Sequence, residues 1–222
     1  MSHLKNHVLA WLILTSFIIA QPKICGRIGI GYSTPDYKSF AEGSFPSLGT
    51  MESMMFNFTA SYQFYQNARV GFSQWTASTS DKYSGSDFSR SFNYRSIYIE
   101  TFFFPMKQFE MNFTIGPLIN SGSIQLTTSD SDDVWGELLT EFENANVDIS
   151  TTAEMTTLFF GITSSVGLRY YFRPNMGFEA QIGFMENYYD KSNWTFQDES
   201  VTGPDIKIKD LPLYSFGLVY GI

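Results

Sequence analysis

Residues 51–65 read MESMMFNFTASYQFY, and the fold is decided there. Met54, Phe56, Phe58, Ala60, Tyr62 and Phe64 fall on one parity, and Met55, Asn57, Thr59, Ser61 and Gln63 on the other. Successive side chains of a strand point to opposite sides of its sheet, so a period of two makes a strand with one oily and one polar face. The alternation returns in FEMNFTIG (109–116), LFFGITSSVGLRYYF (158–172) and GFEAQIGF (177–184). It predicts eight strands, at about 27–33, 51–65, 68–78, 93–104, 109–118, 155–172, 177–188 and 211–222.

The connections between these segments alternate in length. Gln66-Asn67, Pro105 to Gln108 and Arg173 to Met176 are short, while 34–50, 79–92, 119–154 and 189–210 are long and polar. Short turns at one end and long loops at the other describe an up-and-down barrel crossing an outer membrane, with both chain ends on the short-turn side. A soluble barrel has no reason to segregate its loops this way.

Charge within the strands says which face is outside. Arg27, Arg69, Glu100, Glu110, Arg169 and Glu179, three cations and three anions, all stand on the polar parity. They share it with Gly29, Gly31, Gly71, Gly116, Gly161, Gly167, Gly183 and Gly217, which suit a crowded interior. The apolar parity carries only Arg95 and Glu186, both toward segment ends. A soluble eight-stranded barrel would put its apolar side chains inside. Charges gathered on the other face instead predict a narrow lumen plugged by ion pairs and a lipid-facing exterior. Phe102-Phe103-Phe104, Tyr170-Tyr171-Phe172, Tyr188-Tyr189 and Trp75 lie near strand ends, where two interfacial girdles are expected.

Composition agrees. The chain has 222 residues, 18% of them aromatic and only 16% charged, with a mean hydropathy of −0.11. Two-faced strands explain that near-zero average, and the aromatic content excludes disorder. A net charge of −8 argues against nucleic acid as a partner. Residues 1–20, MSHLKNHVLAWLILTSFIIA, have Lys5, an apolar run from Val8 to Ala20 and a small residue at the end, which predicts a signal peptide cleaved after Ala20. Residues 21–222 would then form one barrel domain. His3 and His7 leave with the leader, and with them histidine triads and histidine-ligated metals. Cys25 alone makes no disulfide framework.

The last eight residues are Ser215-Phe216-Gly217-Leu218-Val219-Tyr220-Gly221-Ile222. Ser215, Gly217, Tyr220 and Ile222 resemble the outer-membrane assembly signal, with Ile222 in place of the usual terminal Phe. With the hairpin GLRYYFRPNMGFEAQIGF (Gly167 to Phe184) and the end LYSFGLVYGI (Leu213 to Ile222), the chain from about 27 to 222 resembles the outer-membrane β-barrel domain superfamily, the OmpA/OmpX-like eight-stranded barrels. The resemblance implies an all-β transmembrane barrel exported to the outer membrane of a Gram-negative-type bacterium. It implies assembly there by the barrel assembly machinery acting on the C-terminal strand, with no peptidoglycan-binding domain following.

Loop 119–154 holds Asp130, Asp132, Asp133, Glu137, Glu141, Glu143, Asp148 and Glu154 and neither Lys nor Arg. Removal of Lys5 would leave 13 Lys and Arg against 22 Asp and Glu, so this loop supplies nearly all the net charge. Within it Val134, Trp135, Leu138, Leu139 and Phe142 share a helical stripe, with Asp132 and Asp133 at the favourable N-terminal end. A short helix capping the barrel mouth is expected. The plainest reading of the acids is a solvated, mutually repelling surface; the alternative is a contact for a cationic partner or a divalent cation. Asp130-Ser131-Asp132-Asp133 lacks the Gly and later ligands of a calcium loop, so no metal site is assigned.

Three functions fit such a barrel. The first is a monomeric, non-enzymatic anchor that presents loops to a surface partner or to lipopolysaccharide, serving interaction or envelope integrity. The second is a small pore, which six lumen charges would obstruct. The third is an enzyme acting on envelope lipids; the barrel enzymes rely on histidine, and residues 21–222 contain none. Glu100 with Glu110 could serve only as carboxylates, and ion pairing explains them more simply. The sequence therefore predicts the first, with no cofactor.

Overall fold

The computed structural model describes residues 22–33, 54–83, 85–127, 131–141, 144, 154–204 and 211–222. Ten strands lie among them: β1 (Ile24–Ser33), β2 (Met54–Tyr65), β3 (Ala68–Tyr83), β4 (Ser86–Met106), β5 (Phe109–Thr127), β6 (Glu154–Arg173), β7 (Met176–Tyr188), β8 (Trp194–Phe196), β9 (Glu199–Val201) and β10 (Leu211–Gly221). One helix, α1 (Ser131–Glu141), lies between β5 and β6.

Strands β1 to β7 and β10 close into an antiparallel ring of eight, with β1 pairing β10 and β5 pairing β6. The β8–β9 hairpin extends the sheet beyond β6, so the eight-stranded ring carries two added short strands. Closure is completed at the short-turn end, where the Ile24 N–H donates to the Ile222 carbonyl at 3.1 Å and the Ile222 N–H returns the bond at 2.9 Å. A ring leaves no unpaired edge in lipid, the condition for a sheet to cross a bilayer.

Around the lower ring the outward side chains are apolar. Ile28 and Phe56 are each 72% exposed, in company with Phe58, Ile97, Ile99, Phe113, Val166, Ile182, Phe216 and Leu218. So continuous an apolar surface is stable against hydrocarbon and not against water. The inward parity of the same strands is buried and polar.

Above this belt the rule reverses. In β4 the even residues face inward throughout; below Ser96 they are Tyr98, Glu100 and Phe102, and above it Phe88, Arg90, Phe92 and Tyr94. The outward residues change from Ile97, Ile99 and Phe103 to Asp87, Ser89, Ser91 and Asn93. β5 repeats the exchange, with Ile124 and Leu126 inside and Ser123 and Gln125 on the outward face, and β6 does so at Met155 and Phe159. The barrel thus runs out of the membrane into water, where an ordinary apolar core forms inside it.

That reversal corrects several expectations. Residues 79–83, 86–92 and 119–127 are strand rather than loop, and in β4 and β5 the apolar residues there occupy the phase opposite to the membrane belt. The turn between β3 and β4 lies at Gly85, whose φ of 86° a side chain would strain. β1 starts at Ile24, earlier than Arg27, and β2 is described from Met54; 189–210 is not wholly loop, since it contains β8, β9 and a 3-10 turn at Lys191–Asn193. Not all the aromatics near strand ends form girdles. Phe103, Tyr170, Phe172 and Tyr188 face outward, but Trp75, Phe102 and Tyr171 are buried inside, since neighbours in a strand must take opposite faces.

Candidate functional site

All six lumen charges point inward and meet in one layer near the short-turn end. Register makes the first contacts: Arg69 on β3 lies opposite Glu100 on β4, and Arg169 on β6 lies between Glu110 on β5 and Glu179 on β7. Arg69 grips Glu110 with both terminal nitrogens, at 2.8 and 2.9 Å, and also pairs with Glu100. Arg169 reaches Glu110 at 2.6 Å, Glu179 at 3.0 Å and Glu100 at 3.4 Å. Arg27 comes from β1 to Glu179, with Nε 3.1 Å from Oε2. That approach is an ion contact without hydrogen-bond alignment, neither atom having a hydrogen-bond partner. A Cβ on Gly217 would stand 2.9 Å from Arg27 Nε and 2.8 Å from the Ile28 carbonyl, so glycine leaves the guanidinium its path.

Neutral groups complete the layer. Asn57 Oδ1 and Ser215 Oγ accept from the terminal nitrogens of Arg27, the second at 2.8 Å. Asn112 donates to Glu179 at 2.6 Å, and the Tyr171 hydroxyl donates to Glu110 at 3.2 Å. The Phe102 ring lies beneath Arg69, its centroid 3.7 Å from Cζ. Parity alone puts Asn57, Asn112 and Tyr171 on the lumen side, but none of them, nor Phe102, was named with the six charges of the ion-pair network. Three positive and three negative groups in a buried layer cancel, and each is held by at least one neighbour of opposite sign. Such a layer costs desolvation that its pairs roughly offset, and its effect is to fill the lumen.

Above it, Thr59, Ser73, Tyr98, Thr114, Ser165 and Gln181 help line a cavity of about 30 Å³. That is room for water, at roughly 10–15 Å³ per molecule, and not for a passing solute. Trp75 and Leu213 line it too, and with Met55, Leu118 and Met185 they belong to the apolar core that fills the barrel upward from there. The lumen is therefore filled at two levels, one ionic and one apolar.

The upper core continues into a cap. Val134, Trp135, Leu138 and Leu139 of α1 are buried against it; Phe142, expected on the same stripe, lies outside the described residues. Trp135 packs on Phe196 of β8, with ring centroids 4.7 Å apart. Trp194 is fully buried and donates its indole N–H to the Tyr189 hydroxyl at 2.7 Å. A Cβ at Gly203 would come within 2.1 Å of the Trp194 ring, so the segment after β9 lies directly on it. Asn144 and Thr202 exchange two hydrogen bonds, of 2.7 and 2.6 Å, which tie the stretch after α1 to the stretch after β9.

The predicted acidic contacts are placed less fully. Glu137 is exposed on α1. Asp132, Asp133 and Glu141 belong to the helix, but their side chains, like Asp130 altogether, lie outside what is described. Of the C-terminal set, Ser215 and Gly217 face the lumen, and Tyr220 and Ile222 face outward.

No protein-family model matches the chain, and no curated protein matches it in sequence. Among solved structures, OprG of Pseudomonas aeruginosa superposes with a TM-score of 0.53 at 13% identity, over 92% of this chain and 99% of that one. Neisserial surface protein A superposes with a TM-score of 0.52 at 13% identity, over 90% and 97%. Identities this low speak for fold alone. By its ring of eight antiparallel strands, its apolar belt and these two likenesses, the chain has the fold of the small outer-membrane β-barrels, the OmpA/OmpX-like architecture that its Gly167–Phe184 hairpin and its Leu213–Ile222 end resemble.

Proposed function

We propose that the protein is a monomeric outer-membrane anchor, non-enzymatic and non-conducting, that holds a folded cap at the cell surface for interaction or envelope integrity. The observation that carries this reading is the filled lumen, ionic at one level and apolar above. A barrel blocked in this way has stability and display to offer rather than transport. Its carboxylates Glu100, Glu110 and Glu179 are all engaged by arginines, which supports a structural role over an acid–base one. On this reading residues 1–20 are a cleaved leader and 21–222 the barrel domain. Its partners are the lipids and lipopolysaccharide around it, the barrel assembly machinery reading Ser215, Gly217, Tyr220 and Ile222, and a surface partner met by the cap and the acidic 130–141 segment.

The test is fractionation of expressing cells with and without boiling. A band in the outer-membrane fraction whose gel mobility shifts on heating, together with unchanged lipid A mass spectra on overexpression, is the expected result. A soluble periplasmic protein with no heat shift, or a new lipid A species, would contradict it.

A further inference from the structure

The outward face of the sheet just above the apolar belt has an unusual composition. Its registers line up Ser78 of β3 with Ser91 of β4, Ser123 of β5, Thr156 of β6, Thr195 of β8 and Ser200 of β9. All six are exposed or half-exposed, and five interstrand spacings of about 4.8 Å make the row roughly 24 Å long. The row beneath begins Thr76, Asn93 and Ser121, and the row above begins Ser80, Ser89 and Gln125 before ending at Glu154. Sheet faces that only meet water usually intersperse Lys, Arg, Asp and Glu. From β3 to β6 these three rows are hydroxyl and amide except for Leu158 beside Ser121 and Glu154 at the upper corner, and the charged residues Lys82 and Asp87 come into register one step higher.

At its lower margin stands Arg95, exposed on β4 and in register with Gln74 and Ile119. Its neighbours below on the same face are Ile97 and Ile99, both lipid-exposed, and among the described residues no carboxylate pairs with it. A guanidinium at the upper rim of an apolar belt snorkels to the headgroup level. There it offers two parallel N–H donors to a phosphate. The hydroxyl rows begin one step higher on the same strands, so a lipid whose chains cover Ile97, Ile119 and Leu158 has its headgroup against them. Serine and threonine hydroxyls both donate and accept, as the hydroxyls of a sugar do.

We propose that Arg95 and the Ser78 to Ser200 row form a seat for the phosphorylated saccharide headgroup of an outer-leaflet glycolipid, with the phosphate on Arg95 and the sugars along the row. The inference rests on the outer-membrane reading above. It commits that reading to one face of the molecule, continuous with the lipid belt and of the opposite charge to the phosphate.

The full chain, refolded in zwitterionic micelles, is titrated with three probes: rough-type lipopolysaccharide carrying its inner-core sugars, lipid A without the core, and phosphatidylglycerol. Native mass spectrometry reads retention. The expected order is core-bearing glycolipid, then lipid A, then phosphatidylglycerol. Arg95→Gln should weaken both glycolipids about tenfold, the scale of one charge-assisted contact. The triple variant Ser91→Ala, Ser123→Ala, Thr156→Ala should weaken the core-bearing form severalfold and leave lipid A unchanged. These positions are on the surface, and a retained heat shift verifies that each variant is folded. Equal binding of phosphatidylglycerol, or insensitivity to both variants, overturns the seat while the folded barrel still stands. A dimer that the triple variant dissociates reassigns the face to a second copy and likewise overturns it. A chain with no heat-shifting barrel at all removes the outer-membrane reading and the seat together.

Discussion

Arg169 touches three carboxylates at once, on β4, β5 and β7. Its loss would leave three buried anions facing two cations. Arg169→Met should cost about 3–5 kcal/mol, the penalty for stripping one partner from a buried pair. The midpoint of urea unfolding from lipid vesicles reads this, and adding Glu179→Gln should recover part of the loss by restoring balance. An unchanged midpoint in the single variant would mean that the layer contributes nothing to stability. Asp190 offers a contrast in water: its carboxylate accepts from the backbone N–H and the hydroxyl of Ser192, each at 2.9 Å, and these bonds hold its pKa below the ordinary 3.8. The fold favours the ionised form, so this support is complete above pH 3.8 and fades as pH falls through the depressed value. Amide exchange at Ser192 should quicken over that range and should be pH-flat, after correction for intrinsic rates, in Asp190→Asn. The six lumen charges were legible because a strand's parity assigns every residue to a side. Arg90 was missed, although it too is buried inside, because its segment reads as polar loop.

At the scale of elements, the upper halves of β3, β4 and β5 escaped the reading for a definite physical reason. A strand that leaves the membrane keeps its period of two but exchanges which parity is apolar. Across SDFSRSFNYRSIYIETFF (86–103) the outward apolar set that faces lipid, Ile97, Ile99 and Phe103, is odd, whereas Phe88, Phe92 and Tyr94 above it are even. Scanned as one pattern the segment looks irregular; scanned as two phases joined near Arg95 it is a single strand. The crossing into water was therefore written in the sequence as a change of phase. β8 and β9, three residues each, are too short for periodicity to mark. The α1 stripe was legible because Val134, Trp135, Leu138 and Leu139 recur at helical spacing. Leu138 is fully buried, so Leu138→Ala should cost about 2–5 kcal/mol, and the loss should stay in the cap. Hydrogen exchange should quicken in α1 and β8–β9 and hold steady in β1, β2 and β10. Loss of the heat-shifted band in this variant would show instead that cap and barrel fold as one unit.

The whole molecule stacks two kinds of interior on one set of strands. In the membrane the outside is oily and the inside ionic; above it the outside is hydroxylated and the inside apolar. This stacking explains a mean hydropathy near zero in a chain with 39 aromatic residues, 22 Phe, 13 Tyr and 4 Trp. Fold class was legible from alternation and loop lengths. The filling of the upper barrel was not, since it depends on strands meeting at registers that no single segment specifies. The interior is sealed, ionically at Arg69, Glu110 and Arg169 and by apolar packing from Trp75 upward. Single-channel recording of the refolded chain in planar bilayers tests it most directly. A sealed lumen gives a flat baseline at either polarity; steady nanosiemens steps would mean that it is open.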